Sequence, residues 1–231
     1  MVRPVALLGG VLLAAVLIAL RRKEGWRRWG LLAAWLLAGN LAVLLPWELW
    51  AWRHTGQWIP LTTGGPEGMR DGLTCAIVTK GYRRRLDVSP QVGEIMVEAV
   101  KRWQQGEIET MGAIFSFLGK QLRYQPLGLL RLLGWKMARA WYGTDTQQEV
   151  EKWIALIQMA YLPLTIGGGY LLWHGERVKR EWLFLVGVLV LYFWGMTTMV
   201  LSLLRYMTPA IGLLFVLSGA GMEWLKKRSA T

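Results

Sequence analysis

The stretch WLFLVGVLVLYFWGMTTMV, Trp182 to Val200, contains no charged side chain. At about 1.5 Å of rise per helical residue these nineteen residues extend about 28 Å, close to the roughly 30 Å of a bilayer's hydrocarbon core. An uncharged, predominantly apolar helix of that length has no charged face to turn toward water, so the run reads as a membrane span. Ile154 to Trp173 reads the same way, and so does Gly30 to Leu45, broken only by Asn40 and bracketed by Trp29 and by Trp47, Trp50 and Trp52 as interfacial anchors. Val5 to Leu20 and Pro209 to Leu225 complete a set of five, the last separated from Val200 by Leu-Ser-Leu-Leu-Arg-Tyr-Met-Thr. The expected fold class is therefore all-α: a polytopic helical membrane protein of about five transmembrane helices. A hydrophobic content of 54% with 15 tryptophans agrees with it.

Charge sets the orientation. The net charge of +12 is the kind of excess that in a soluble chain points to nucleic acid. Here Arg21, Arg22, Lys23, Arg27 and Arg28 follow the first span, Arg177, Lys179 and Arg180 follow the third, and Lys226, Lys227 and Arg228 follow the fifth. All eleven fall on one side if the spans alternate, and the positive-inside rule makes that side cytoplasmic. Nucleic acid is not an expected partner. The N-terminus and residues 51–152 are then outside a cytoplasmic membrane and the C-terminus inside, which divides the chain into 1–50, 51–152 and 153–231. The 14 Lys/Arg and 10 Asp/Glu of residues 51–152 do not oppose this, because long loops cross regardless of charge.

The external region should be helical. Ser89 suits an N-cap and Pro90 the first helical position, and Val92, Ile95, Met96, Ala99, Val100 and Trp103 recur at helical spacing. Gly106 separates this helix from a second, about Thr110 to Leu122, with Met111, Ile114, Phe115, Leu118 and Leu122 on one face. From Pro126 to Trp141, leucines and aromatics mix with Arg131, Lys136 and Arg139. That composition fits a helix in the headgroup region with its cations reaching toward phosphates, or equally a packed helix. Lys80 and Arg83-Arg84-Arg85 read as a solvated loop, and Gly64-Gly65-Pro66 as a turn, since no Gly-Lys-Ser/Thr follows.

Most catalytic classes find no residues here. Cys75 is the single cysteine, which excludes an internal disulfide and multi-cysteine metal sites, and His54 and His174 lie at opposite membrane faces. No metal set and no cofactor is expected, and a divalent ion has no support in this sequence. The spans carry no acidic residue short of Glu223 at the end of the fifth, which weakens a proton relay or transporter. Gly167-Gly168-Gly169 reads as a close-packing site or a helix break.

Polar groups meet the external face in two places, after the second span and before the fifth. Pro46-Trp47, then Gly56-x-x-x-Pro60-Leu-Thr-Thr-Gly64-Gly65, and later Arg205-Tyr206-x-x-Pro209 resemble the protein mannosyltransferase-like membrane glycosyltransferases. These include the bacterial aminoarabinose transferases and share the GT-C fold. The segment with Pro126, Lys136 and Trp141 resembles the external helix of such proteins, so the likeness runs from about Leu44 to Leu225. It implies transfer of a sugar from a polyprenyl-phosphate carrier to a lipid, glycan or protein acceptor at the outer face. Arg205 is the leading candidate for the donor phosphate, with Tyr206, Lys136, Arg139 and Arg53 behind it. Glu48 is the one acid at the right depth for a general base, though a helix-end carboxylate paired with Arg53 accounts for it as well. Where the family has an Arg-Asn pair soon after Pro-Trp, this chain reads Trp50-Ala51, with Arg53 displaced. The resemblance implies catalytic acids in the first external loop of an N-terminal module, which these five spans are not expected to include. The resemblance thus reaches only the C-terminal part, and the expectation is a donor-binding module, inactive alone, that works with an N-terminal module or partner subunit. The competing class is a non-catalytic polytopic membrane protein whose external helices bind a partner.

Overall fold

The computed structural model describes residues 4–21, 26–56, 65–74, 89–144, 148–174 and 177–229. Among them every regular element is an α-helix: α1 (Pro4–Arg21), α2 (Trp26–Thr55), α3 (Gly65–Thr74), α4 (Pro90–Gln104), α5 (Met111–Tyr124), α6 (Pro126–Tyr142), α7 (Gln148–Trp173), α8 (Arg177–Met199) and α9 (Leu204–Ser229). Among the described residues three stretches are long and apolar enough to cross a membrane, Trp29–Thr55, Val150–Trp173 and Arg180–Met199, while Gly9–Leu20 and Leu204–Gly219 are apolar but shorter. Trp35, Val43, Ile157, Ile166, Leu191 and Val216 are each more than half exposed. Outward apolar side chains along helices of this length match a lipid environment rather than water.

Two helix limits differ from the sequence reading. The second span was expected to end near Leu45, yet α2 runs through Pro46 to Thr55. It stops at Gly56, whose φ of 68° and N–H bond of 2.9 Å to the Trp52 carbonyl make a left-handed terminus. The fifth was expected to begin at Pro209, yet α9 begins at Leu204. Pro209 has no N–H for the carbonyl four residues back, and the Thr208 hydroxyl donates to that Arg205 oxygen instead, at 3.0 Å. Arg205 and Tyr206 thus stand on the first turn of a helix and not in a connection. Through Gly167, Gly168 and Gly169, α7 is unbroken.

The chain falls into two compact units, one of Met1–Thr63, Met159–Phe193 and Pro209–Thr231, the other of Gly64–Gln158 and Trp194–Thr208. In the first, α1 meets α2 where a Cβ on Gly10 would lie 2.8 Å from the Asn40 carboxamide, so a larger residue there would require the Asn40 side chain to shift. There α7 and α9 are joined by buried hydroxyls, Thr165 Oγ1 and Ser218 Oγ, 2.6 Å apart. Each also lies within bonding distance of its own helix, at the Tyr161 and Leu214 carbonyls, so one proton bridges the helices and the other stays in its own turn.

The second unit has a continuous apolar core: Met69 and Leu73 from α3, Val92, Ile95, Met96 and Ala99 from α4, Ile114 and Phe117 from α5, Leu129 and Leu132 from α6, with Ile108 between α4 and α5. Each large side chain so buried contributes about 1.5–3 kcal/mol relative to exposure. The α4 residues are those the spacing predicts. On α5 the face is rotated: Ile114 and Phe117 turn inward while Met111, Phe115 and Leu122 are exposed. Gly106, with φ 74°, closes α4 as a Schellman turn, its N–H bonded to the Trp103 carbonyl and that of Glu107 to the Arg102 carbonyl, both at 2.9 Å. Thr110 then caps α5 by accepting from the Ala113 N–H at 3.3 Å. Ser89 occupies the N-cap position of α4 but makes no side-chain cap bond, Pro90 at the first helical position having already removed one donor. The guanidinium of Arg70 on α3 lies 4.5 Å above the ring of Trp103 on α4.

Candidate functional site

The polar residues of the second unit gather where α6 ends, α7 begins and α8 gives way to α9. Lys136 and Arg139, three apart on α6, share one face of the helix, and both point inward, 2% and 8% exposed. The Lys136 ammonium donates to the carbonyl oxygen of Val200 at 3.0 Å. That contact needs Gly72 of α3, because a Cβ there would sit 1.8 Å from the same oxygen and 3.0 Å from the Lys136 nitrogen. Arg139 forms a buried pair with Glu151 on the first turn of α7. One guanidinium nitrogen is 2.8 Å from Oε1 and the other 3.3 Å from Oε2, and Thr144 donates its N–H to Oε1 at 2.7 Å. The carboxylate suits the positive end of the α7 dipole, and the Arg139 guanidinium also lies 5.4 Å from the centre of the Trp135 ring.

These contacts fix the start of α9. Residue 200 is gripped by Lys136, and the N–H of Leu204 donates to the Gly143 carbonyl at 2.9 Å. Gly143 is close-packed, since a Cβ on it would lie 2.7 Å from the Ser202 carbonyl oxygen. The next residue is Arg205, whose exposed guanidinium donates to the Tyr206 hydroxyl at 3.3 Å and lies 5.1 Å from that ring's centre. The result is a surface cation beside a phenol, at the start of a helix whose entry is anchored at residues 200 and 204.

The sequence-predicted residues thus separate by environment. Arg205 is exposed and Tyr206 half-buried beside it. Lys136 and Arg139 are engaged by protein oxygens, so of the two readings of α6 the packed one describes their side chains. Glu48, 6% exposed, and Arg53, exposed, lie on α2 in the other unit. The motif residues 57–64 and Cys75, Lys80 and Arg83–Arg85 lie outside the described residues. His54 and His174 are exposed at the ends of α2 and α7, each with Nδ1 at the carbonyl four residues back, Trp50 at 2.8 Å and Tyr170 at 3.0 Å, and each against that residue's ring. Among the described residues no three His, Cys, Asp or Glu side chains converge as metal ligands.

Sequence reasoning missed Glu151, Thr144, Gly72 and Gly143. A signal existed for the first two: opposite charges twelve residues apart, flanking a Gly-Thr helix break, are placed to pair across the turn. Nothing local marks Gly72, whose partner is more than a hundred residues away. Against known proteins, no family model, no curated sequence and no solved structure matches the chain.

Proposed function

We propose that this chain serves a membrane glycosyltransferase of the GT-C type, binding a polyprenyl-phosphate sugar donor at the outer face of a cytoplasmic membrane. In this reading five helices cross the bilayer, α1, α2, α7, α8 and α9, and the region between α2 and α7 is external. The observation that carries it is the exposed Arg205 guanidinium beside the half-buried Tyr206 ring on the first turn of α9. A lipid phosphate is anionic at headgroup depth and apolar beyond it. Arg is the side chain best matched to such an oxyanion, by charge-assisted and bidentate hydrogen bonding. Tyr206 restrains the guanidinium and offers a second polar group. Lys136, Arg139, Glu151 and Gly143 act here as positioning residues that hold the turn on which Arg205 stands.

The test is binding of a polyprenyl monophosphate to the purified chain in lipid nanodiscs, by native mass spectrometry. Arg205→Ala should lower affinity about 10- to 100-fold, the equivalent of about 1.5–3 kcal/mol for hydrogen bonds to a charged group. Arg205→Lys should recover only part of it, because the fork geometry is lost. Absence of binding, or binding indifferent to Arg205, refutes the donor site and leaves a membrane protein whose external helices serve another partner.

A further inference from the structure

We infer that α6 lies in the interface of the lipid leaflet at the C-terminal end of α8, with its outward face in contact with acyl chains. Leu127, Leu130, Gly134, Met137 and Ala138 share one side of the helix, at spacings of three, four and seven residues, and all are exposed. Leu127 and Leu130 are 65% and 58% exposed, high for leucines in a helix whose opposite face enters a packed core. The helix's charge is disposed for the same environment. From Met111 to Thr144 the chain has no acidic residue, in a region that has ten overall, while Lys120, Arg123 and Arg131 remain exposed to meet lipid phosphates.

What covers this face is decided by its attachment. The Trp194 indole donates to the Met137 carbonyl at 2.9 Å, and the Trp194 and Trp141 rings meet edge-on, 5.7 Å between centres. Trp194 is five residues from the end of Arg180–Met199, one of the stretches long and apolar enough to cross a membrane. Five residues is about 7.5 Å of helix, which puts this tryptophan at the depth where tryptophans concentrate, and Met137 with it. A helix fastened there, apolar on its outward side and free of acids, fits a lipid boundary better than a protein groove. The roles within α6 are therefore reversed from the composition-based expectation: Leu127 and Leu130, and not Lys136 and Arg139, turn toward lipid.

The inference rests on α8 crossing the bilayer and not on sugar transfer. It is tested on the full chain with Cys75→Ser, carrying a nitroxide at Leu127→Cys, Leu130→Cys or Met137→Cys, in vesicles of phosphatidylethanolamine and phosphatidylglycerol. Collision with oxygen, which concentrates in acyl chains, is compared with collision with a water-soluble nickel chelate. A label at Leu191→Cys on α8 reports the bilayer independently. Oxygen should dominate at all three α6 sites, with a ratio approaching that at 191. Chelate-dominated relaxation at 130 with oxygen dominant at 191 overturns the placement of α6 alone. An immobilised label reached by neither reagent overturns it in favour of a protein partner. Chelate dominance at 191 removes the span on which the placement stands, and the placement with it. Apart from the last, these outcomes leave the proposed donor site at Arg205 untouched, and lipid-phosphate binding there is measured separately.

Discussion

Replacing Glu151 by glutamine should be among the most damaging single changes in the second unit. The Arg139 and Glu151 side chains keep only 10% and 8% of their exposure, so both charges are largely withdrawn from water and each depends on the other. Glu151 Oε1 accepts from Arg139 at 2.8 Å and from the Thr144 N–H at 2.7 Å, and Oε2 accepts from Arg139 at 3.3 Å. Glutamine keeps one oxygen for these donors and turns an NH2 toward the guanidinium, leaving a buried cation without its counter-charge. Breaking one side of such a pair costs about 3–5 kcal/mol, more than two powers of ten in the folding equilibrium. Removing both charges together, Arg139→Met with Glu151→Leu, should return stability to within about 1–2 kcal/mol of the parent, the residual cost coming from the freed groups of Thr144: its carbonyl, which accepts from Arg139 at 3.3 Å, and its N–H and hydroxyl, which donate to Glu151 at 2.7 and 3.2 Å. The assay is equilibrium denaturation by dodecyl sulfate in mixed micelles, followed by tryptophan emission and by helicity. A cost below about 1 kcal/mol for Glu151→Gln would mean a solvent-screened surface pair. A double variant no better than the single would mean that the damage arises elsewhere. Either result refutes the argument.

Further expectations concern backbone approach and caps. Gly72→Ala would put a methyl within 1.8 Å of the Val200 carbonyl oxygen, so it should cost about 1–3 kcal/mol or more and lower the thermal midpoint, while Gly112→Ala, with nothing near its Cβ, should be neutral or stabilising. Gly106→Ala forces a φ of 74° on an L side chain and should cost about 1–2 kcal/mol. Thr110→Ala should cost about 1 kcal/mol and speed hydrogen exchange at the Ala113 amide, which the Thr110 hydroxyl now covers. Thr165→Val and Ser218→Ala should each cost about 0.6–2 kcal/mol in bilayers, with the double variant costing less than their sum because both remove one shared bond.

How far each element was legible follows from the range of the forces that form it. Long apolar runs decide helix and hydrophobic environment locally, because an unsatisfied backbone is ruled out in lipid whatever the neighbours are. The core face of α4 was legible for a related reason, since one stripe there is apolar and the other polar. On α5 both Met111–Phe115–Leu122 and Ile114–Phe117 are apolar, so periodicity could not choose between adjacent faces; packing against α3 and α6 did. Helix ends were less legible, since α2 continues past Pro46 until Gly56 and α9 starts before Pro209 once the Thr208 hydroxyl covers the carbonyl that proline leaves.

The sequence by itself determined an all-helical chain with membrane-length apolar segments, a basic residue pattern for orientation, and Arg205 beside Tyr206. Only the tertiary structure decided which cations are buried. Lys136, Arg139 and Arg205 look alike in composition, but the first two are desolvated against the Val200 carbonyl and the Glu151 carboxylate, while Arg205 stays exposed. That distinction depends on partners 64 and 12 residues away, brought into range by the close approaches at Gly72 and the turn through Gly143. A cation's solvation is set by what surrounds it in space, which residue type and spacing do not encode.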